Sequence, residues 1–207
     1  MTSGDTNTTN HPTQIAVLGT LAEFHEAPLP YDLAALVDLV LRINPDLLCL
    51  DISLSQWQRQ DFSSLPAEYS QVLLPLAAQT DMVVVPVGGE QMMPRATAVG
   101  WRSGIISWAR SVLAQMQAGA PGPDAINQGW RHHLGNMLYS LTRLLSDSAV
   151  DHAYHAHIEQ VSQAVLQVAE NNPGNRILVV TNIQYCHHIR PRLRQHDGVN
   201  ILAYSDL

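Results

Sequence analysis

The chain has 207 residues, of which 46% are hydrophobic, and a formal net charge of −7. This length suits one domain with a substantial core, and no apolar run approaches the roughly 18 residues of a membrane helix, so the sequence predicts no membrane partner. The acidic charge argues against a nucleic-acid partner, because phosphate binding requires clustered cations. All eleven basic residues are arginines, which excludes a catalytic lysine or a P-loop lysine.

The N-terminal segment, residues 1–13, is rich in Thr, Asn and Ser and has neither a basic start nor an apolar stretch. This composition predicts a disordered tail rather than a signal peptide. Two cysteines, Cys49 and Cys186, are too few for a disulfide framework, which predicts a reducing, cytoplasmic location. Residues 14–207 are expected to form a single α/β domain.

Short apolar runs and helical periodicities alternate along the rest of the chain. The predicted strands are Ile15–Gly19, Leu47–Ile52, Met82–Val87, Ile177–Ile183 and Val199–Tyr204. A helix is predicted after its capping residue Asp32, and two others over Pro66–Gln79 and His188–Gln195. Three further helices are predicted to fill an insertion at about 95–171. The order predicts an α/β fold with a mostly parallel, doubly wound sheet of about five strands and a helical cap inserted between strands three and four. Within strand three, Pro86 predicts an edge position or a break in pairing.

Polar side chains follow the first three predicted strands. Glu23, His25 and Glu26 follow strand one, Asp51 lies at the end of strand two, and Glu90 follows strand three. The carboxyl ends of parallel strands meet at one edge of the sheet, where such folds bind their ligands. Imidazole and carboxylate groups there suit either a divalent metal ion or general acid–base catalysis. The sequence predicts His25, Asp51 and Glu26 as catalytic groups and His25, Asp51 and Glu23 as metal ligands.

A second candidate group follows strand four. Cys186, His187 and His188 are followed by Arg190, and Arg95 precedes the first helix of the insertion. Histidine can ligate a cofactor, and arginine binds anionic groups. His187, His188, Arg190, Glu90 and Arg95 are therefore predicted to bind a cofactor or substrate.

The last helix of the insertion carries three more histidines. His152, His155 and Glu159 lie within about 60° of one another on a helical projection, opposite an apolar valine stripe. This trio is expected to face solvent or a cleft, where it could hold a metal. His157 lies near the apolar stripe and is predicted to be a buried, hydrogen-bonded core residue.

Several parts of the chain together resemble the Tiki/TraB superfamily, which includes erythromycin-esterase-like and ChaN-like haem-binding proteins. The resemblance rests on Val17–Thr20 with a histidine shortly after, on Asn44–Asp46 leading into a strand that ends in an acid, and on histidines after a late Val-Val strand. It implies hydrolysis, with or without a metal, by a Gly-x-x-His motif and a Glu after the second strand. Here Ala22 and Asp51 replace those two residues, and Gln184 stands where relatives tend to have a late histidine.

Three functions remain open from the sequence. The first is a hydrolase with a polar or metal-binding pocket for a small molecule at the carboxyl edge of the sheet. The second is a module that binds haem or another cofactor, with His25, His155 or His187 as an axial ligand. The third is a non-catalytic protein that forms homo-oligomers through Trp101, Trp108 and Trp130 of the insertion. No G-x-S-x-G, H-E-x-x-H or C-x-x-C motif decides between them.

Overall fold

The structure is a computed structural model that describes residues 12–22, 29–90 and 98–207. Within these ranges the chain forms β1 (Thr13–Thr20), β2 (Leu47–Ser53), β3 (Val83–Gly88), β4 (Arg176–Asn182) and β5 (Val199–Leu202). The α-helices are α1 (Leu33–Ile43), α2 (Leu54–Arg59), α3 (Leu74–Ala77), α4 (Trp101–Ala118), α5 (Pro123–Asn127), α6 (Gly129–Leu145), α7 (Ser148–Asn171) and α8 (Ile183–Leu193). A π-helical segment, Glu68–Leu73, runs directly into α3.

The five strands form one sheet in the order β3-β2-β4-β1-β5, and every pair is parallel. The predicted α/β class and parallel sheet are confirmed. β3 lies at an edge of the sheet, as the sequence predicts from Pro86. An edge strand tolerates a proline, which has no backbone N–H to donate to a neighbouring strand. The chain moves from β1 to β2 in one direction and from β4 to β5 in the other, so the strand order reverses around β4. Ligands of open α/β sheets bind at such a reversal.

The central strands are apolar on both faces because helices cover both sides of the sheet. Their fully buried side chains include Ile15, Leu18, Leu48, Leu50, Ile177 and Val179. Helix α7 belongs to this covering layer, since Ile158, Val161 and Val165 are completely buried in the main core. The valine stripe that the sequence shows on this helix therefore packs against the body of the protein.

Helices α4 to α7 lie between β3 and β4 in the chain, and the first of them stands apart from the sheet. Helix α4 packs mainly on α6, and Ala109, Leu113 and Leu138 form a small separate core between them. We call α4 and α6 together the helical hairpin. The sequence predicts three helices for this region, and the structure adds the short α5 after the Ala120–Pro123 break.

Two helices differ from the sequence prediction in ways that affect the site: one begins earlier, and one was not predicted. Helix α8 begins at Ile183, and Asn182 caps it by accepting a hydrogen bond from the backbone N–H of Gln184 at 3.1 Å. His187 and His188 therefore lie inside the helix rather than at its start. Helix α2 is absent from the sequence prediction, although Ser53 and Gln56 form a capping box at its first turn.

No helix in the described part of the chain combines the length and the apolar character needed to cross a membrane.

Candidate functional site

A cavity of about 480 Å³ lies at the carboxyl edge of the sheet. The end of each of β1, β2, β3 and β4 contributes to its wall, together with α2, the π-helical segment, α7 and α8. We call this cavity the edge pocket. Its lining includes Ala22, Asp51, Ser53, Ser55, Arg59, Glu68, Tyr69, Gly89, Glu90, His157, Asn182 and Tyr185. The fold therefore brings a polar pocket to the position where the strand order reverses.

A buried carboxylate–imidazole pair forms part of the pocket wall. Asp51 Oδ2 accepts hydrogen bonds from His157 Nε2 at 3.0 Å and from Thr181 Oγ1 at 2.7 Å. The side chains of Asp51 and His157 are each 10% exposed. The residues come from β2, α7 and β4, so the main core fixes all three positions. A carboxylate with two donors at this distance holds the imidazole in one orientation.

The second nitrogen of the His157 imidazole is left without a hydrogen bond by the described part of the chain. His157 Nδ1 is buried and makes no hydrogen bond to any described residue. It lies beside Gly89, where an added Cβ would be 3.6 Å from it. Since Nε2 donates to Asp51, the neutral ring presents a lone pair at Nδ1. Buried polar atoms usually have partners, and an unpaired one in a pocket wall suggests that a ligand or water supplies the bond.

The pKa of His157 is raised above its ordinary value. Burial opposes this shift because it penalises the charged imidazolium, but the hydrogen bond and the negative charge of Asp51 outweigh the burial. The ring of Tyr185 packs at 4.6 Å from the His157 ring and also lines the pocket. The imidazole is thus held by a carboxylate at one nitrogen and by an aromatic ring on its face.

Glu90 closes the pocket on the side of α2. Its carboxylate accepts hydrogen bonds from the backbone N–H of Ser55 at 3.0 Å and from the Ser55 hydroxyl. Arg59 Nη2 donates to the same hydroxyl oxygen at 3.1 Å. These Ser55 bonds, above all that of the hydroxyl, lower the pKa of Glu90. Glu90 therefore lies at the predicted edge as an ionised carboxylate.

A third carboxylate, that of Glu68, is almost completely buried below the pocket surface. Its Oε1 accepts a hydrogen bond from the backbone N–H of Ala22 at 3.1 Å. Ala22 has a φ of +48°, a left-handed conformation that L-residues adopt only under constraint. The position where the resemblance predicts a histidine thus carries a small residue whose backbone is bound by a buried acid.

Of the predicted site residues, Asp51 and Glu90 line the edge pocket, and His187, His188 and Arg190 are not among its lining residues. Arg190 Nη2 donates to the backbone carbonyl of Val17 at 2.8 Å, so its guanidinium supports the sheet. The predicted Glu23, His25, Glu26 and Arg95 lie outside the described residues.

His187 and His188 form a separate pair in the middle of α8. Their ring centroids are 3.9 Å apart, and His187 Nδ1 and His188 Nε2 are buried without a hydrogen-bond partner in the described structure. Burial, together with neighbouring histidines and arginines, lowers the pKa of His187 to about 4 and also lowers that of His188. Both rings are therefore neutral at physiological pH.

The predicted metal and haem roles gain no support from the described residues. No three His, Cys, Asp or Glu side chains converge to hold a metal ion within the described ranges. His155 and Glu159 are exposed and pair with Asp151 and Arg192 respectively. The lining of the edge pocket combines hydroxyl, amide and carboxylate groups with the rings of Tyr69 and Tyr185, and its one histidine, His157, already bonds to Asp51 through Nε2.

Sequence reasoning identified Asp51 but not its partner. His157 was predicted to be buried and hydrogen-bonded, and this is confirmed. Its role in the site was missed because 106 residues separate it from Asp51 and because α7 was assigned to a cap. The usable signal was a lone histidine beside an apolar helical stripe, which needs a specific buried partner.

No family model, no curated protein and no solved structure matches this chain. The fold and the site define an α/β protein with a polar pocket at the carboxyl edge of a parallel sheet. Membership of the Tiki/TraB superfamily stays a prediction from the sequence.

Proposed function

We propose that the edge pocket binds a small polar molecule and that His157, oriented by Asp51, acts there as a general acid–base group in a hydrolytic reaction. The observation that carries this proposal is the buried Asp51–His157 hydrogen bond of 3.0 Å beside the pocket, with Nδ1 left unpaired. Hydrolases commonly use an imidazole held by a carboxylate to activate a nucleophile.

The chemistry follows from the tautomer that Asp51 selects. With Nε2–H bound to Asp51, the neutral ring accepts a proton at Nδ1 from a water molecule as the water oxygen forms a bond to the carbonyl carbon of the substrate. The resulting imidazolium is stabilised by the Asp51 carboxylate, and it returns the proton to the leaving oxygen or nitrogen as the bond from that atom to the carbonyl carbon breaks. Gly89 has no Cβ, so among the described residues only the flexible end of the Gln160 side chain lies against it on the side of His157 Nδ1. A substrate would approach His157 from this side after displacing the end of the Gln160 side chain, which also lies against Gly89.

The charges in the pocket favour neutral or cationic substrates. Asp51, Glu68 and Glu90 contribute carboxylates to the lining, and Arg59 is the arginine among the lining residues. Arg59 already donates to Ser55 through both Nε and Nη2. A strongly anionic substrate would meet a repulsive potential at this edge. Small esters or amides with hydroxyl or amine substituents fit the pocket best.

The test is hydrolysis of a panel of small neutral and cationic nitrophenyl esters and nitroanilides by the full chain. We expect His157→Gln to lower kcat/KM by about 10²-fold to 10⁴-fold, the usual contribution of a general acid–base group. The matched control is His152→Gln, an exposed histidine on the same helix, which should retain wild-type activity. If wild type hydrolyses no member of the panel faster than His157→Gln does, the proposal is wrong.

The pH profile gives an independent readout of the same pair. The base must be neutral to accept a proton, and Asp51 raises its pKa. Activity is therefore expected to rise with pH through a pKa above 6.5 and to be lost below it. Asp51→Asn should shift this rise to lower pH and lower kcat. A profile that is identical in wild type and Asp51→Asn would contradict the assignment of Asp51.

A further inference from the structure

The helical hairpin exposes an apolar face that no described segment of the chain covers. The side chains of Trp101, Trp108, Trp130, Met137 and Leu144 are between 57% and 80% exposed. Contiguous exposed apolar surface on a soluble domain marks a contact with another molecule.

The exposed large apolar residues of each helix fall on a single stripe that also contains half-buried apolar residues. At 100° per residue, Trp101, Ile105, Trp108 and Val112 lie within about 60° of one another on α4. The stripe of α6 is about 80° wide and consists of Trp130, Leu134, Met137, Leu141 and Leu144. On each helix the stripe lies beside the side chains that contact the other helix, which are centred on Leu113 and Leu138.

The two stripes lie on the same side of the hairpin. Arg131, at the start of α6, donates to the carbonyl of Gly119 at the end of α4, and Gly135 lies against Met116 and Leu113. As α6 advances, its contacts move back along α4, so the helices are antiparallel. On both helices, a rotation in the direction of increasing residue number leads from the stripe to the contact face. In an antiparallel pair this places them side by side, and together they form one continuous surface, which we call the tryptophan face.

We propose that a second copy of this chain covers the tryptophan face, so that two hairpins stack into a four-helix bundle at the centre of a homodimer. An antiparallel helix pair that buries only a small core of its own is half of such a bundle. A two-fold axis would bring the same surface of each copy together, the commonest arrangement among soluble oligomers.

Charge favours a second copy over a lipid surface. The stripes contain no charged residue, so two copies of a chain with a net charge of −7 meet through neutral surfaces. Residues 98–146 carry four arginines and one carboxylate. The arginine positions fall outside the stripes on the helical projection, although the guanidinium groups of Arg102 and Arg131 lie 5.9 Å and 5.0 Å from the ring centroids of Trp101 and Trp130. Arg131 bonds to Gly119, and Arg143 pairs with Asp151 at 3.3 Å. An interfacial helix that binds anionic lipid is rich in cations on its polar face, whereas these two helices together carry four arginines and no lysine.

The composition and size of the face also suit a protein interface. Tryptophan and methionine are enriched in the centres of such interfaces and charged residues are depleted. Helices of this length are about 27 Å long and two of them about 20 Å wide, so the face measures roughly 500 Å² in projection. Its accessible area is larger because side chains project from it. This approaches the roughly 600 Å² per partner of the smaller specific interfaces.

The experiment is sedimentation velocity of the full chain over a concentration series. We expect a dimer with a Kd of about 1 μM or tighter, as interfaces of this size allow. Met137→Arg places a charge on the face and should weaken association by at least about 30-fold. Leu144→Arg, at a side chain 80% exposed in the single chain, is a second variant that the monomer fold should tolerate. Leu41→Arg, an exposed leucine on α1, is the matched control and should leave the dimer intact.

Tryptophan fluorescence supplies a second readout, because three of the four tryptophans lie on the face. Acrylamide quenching should increase as the wild-type dimer is diluted and should be independent of concentration for Met137→Arg. A chain that stays monomeric up to about 100 μM would overturn the proposal. So would a dimer that neither substitution on the face weakens. A monomer that binds vesicles of anionic phospholipid through the same residues would overturn it in favour of a lipid surface.

Discussion

The edge pocket and the tryptophan face depart from the usual distribution of residues in opposite ways. In the pocket, two ionisable side chains, Asp51 and His157, are almost completely buried. On the hairpin, large apolar side chains such as Trp108 and Leu144 are exposed. Burial of a polar group costs free energy unless hydrogen bonds compensate it, and large apolar side chains cost free energy when they stay exposed to water. In the two proposals, a polar ligand completes the contacts at the sheet edge and an apolar partner completes those of the hairpin.

A short element links the two regions. Asn127, at the end of α5, accepts a hydrogen bond from the backbone N–H of Gly19 at 2.7 Å and donates to its carbonyl at 3.0 Å. Gly19 belongs to β1, three residues before Ala22 in the pocket wall. We call these two hydrogen bonds between Asn127 and Gly19 the clamp. The chain continues from Asn127 through Gln128 into α6 and the hairpin. The insertion is therefore anchored to the same strand that ends at the candidate site.

The largest expected effect is a contrast between substitutions at two adjacent glycines, Gly88 at the end of β3 and Gly89 directly after it. A Cβ at Gly88 would lie 2.7 Å from the backbone nitrogen of Ile52 and 2.8 Å from the backbone carbon of Asp51. Gly88→Ala should therefore push β3 away from β2 and lower the free energy of unfolding by about 3 kcal/mol. At Gly89, the added Cβ would instead meet the flexible end of Gln160 and the His157 ring. Gly89→Ala should keep the fold and lower kcat/KM by about 100-fold.

Urea unfolding of both variants, combined with the hydrolysis panel, tests this contrast. A Gly88→Ala variant as stable as wild type would contradict the close packing of β2 against β3. Wild-type activity in Gly89→Ala would show that ligands do not approach His157 from the Gly89 side.

The next effect concerns the clamp between the insertion and β1. Asn127→Leu removes the amide and leaves the buried N–H and carbonyl of Gly19 without those partners. We expect the free energy of unfolding to fall by about 2 kcal/mol, because buried unpaired backbone groups cost about 1–3 kcal/mol each. Asn200→Leu, at an exposed position in β5, is the control and should change stability by less than about 0.5 kcal/mol. Equal stability of the two variants in urea would contradict a structural role for the clamp.

A smaller effect is expected at the second donor to Asp51. Thr181→Val keeps the side-chain shape but removes the 2.7 Å hydrogen bond, which should cost about 1 kcal/mol. The Asp51 carboxylate then interacts more strongly with the imidazole, so the pKa of His157 should rise further. NMR titration of the His157 ring measures this shift. The control variant Thr142→Val removes a buried hydroxyl on α6 and should leave the titration of His157 unchanged. If Thr181→Val also left it unchanged, the result would contradict the hydrogen bonds of Asp51.

Much of the fold could be predicted from local sequence patterns. Apolar runs such as Leu47–Ile52 can be buried only between two helical layers, and Pro86 restricts β3 to an edge. The strand order β3-β2-β4-β1-β5 could not be predicted, because it depends on which strands pair across more than 100 residues. The start of α8 was placed too late because the apolar Ile183, which begins the helix, was assigned to the end of the preceding predicted strand.

The candidate site divides in the same way. Asp51 and Glu90 were predicted because each lies at the end of a strand, a position that sequence alone reveals. The pairing of His157 with Asp51 depends on how α7 packs beside β3, which no local pattern specifies. The apolar stripe of α6 was visible as a pattern. Its exposure was not, because the same periodicity describes a buried face and a face that awaits a partner.

The smallest effect is a pH dependence of stability in which two histidines act in opposite directions. The pKa of His157 is raised in the folded protein, so its contribution to stability is fully present below the unfolded value of about 6.5 and is lost as pH rises through the folded pKa. The pKa of His187 is lowered to about 4, so its contribution is present above 6.5 and is lost as pH falls toward 4.

Urea unfolding of the wild type between pH 4 and pH 9 should therefore show lower stability on both sides of a maximum near pH 6.5. His157→Gln should flatten the alkaline side alone, since no imidazolium is then stabilised by Asp51. His187→Gln should make the acidic side less steep without removing its slope, because this ring no longer has to become charged while His188 and His132, whose pKa values are also lowered by burial, still do. If His157→Gln changed only the acidic side, the sign of the interaction between Asp51 and His157 would be reversed. Asp51 would then destabilise the charged ring of His157, and the contrast between the pocket and the hairpin would lose its electrostatic basis.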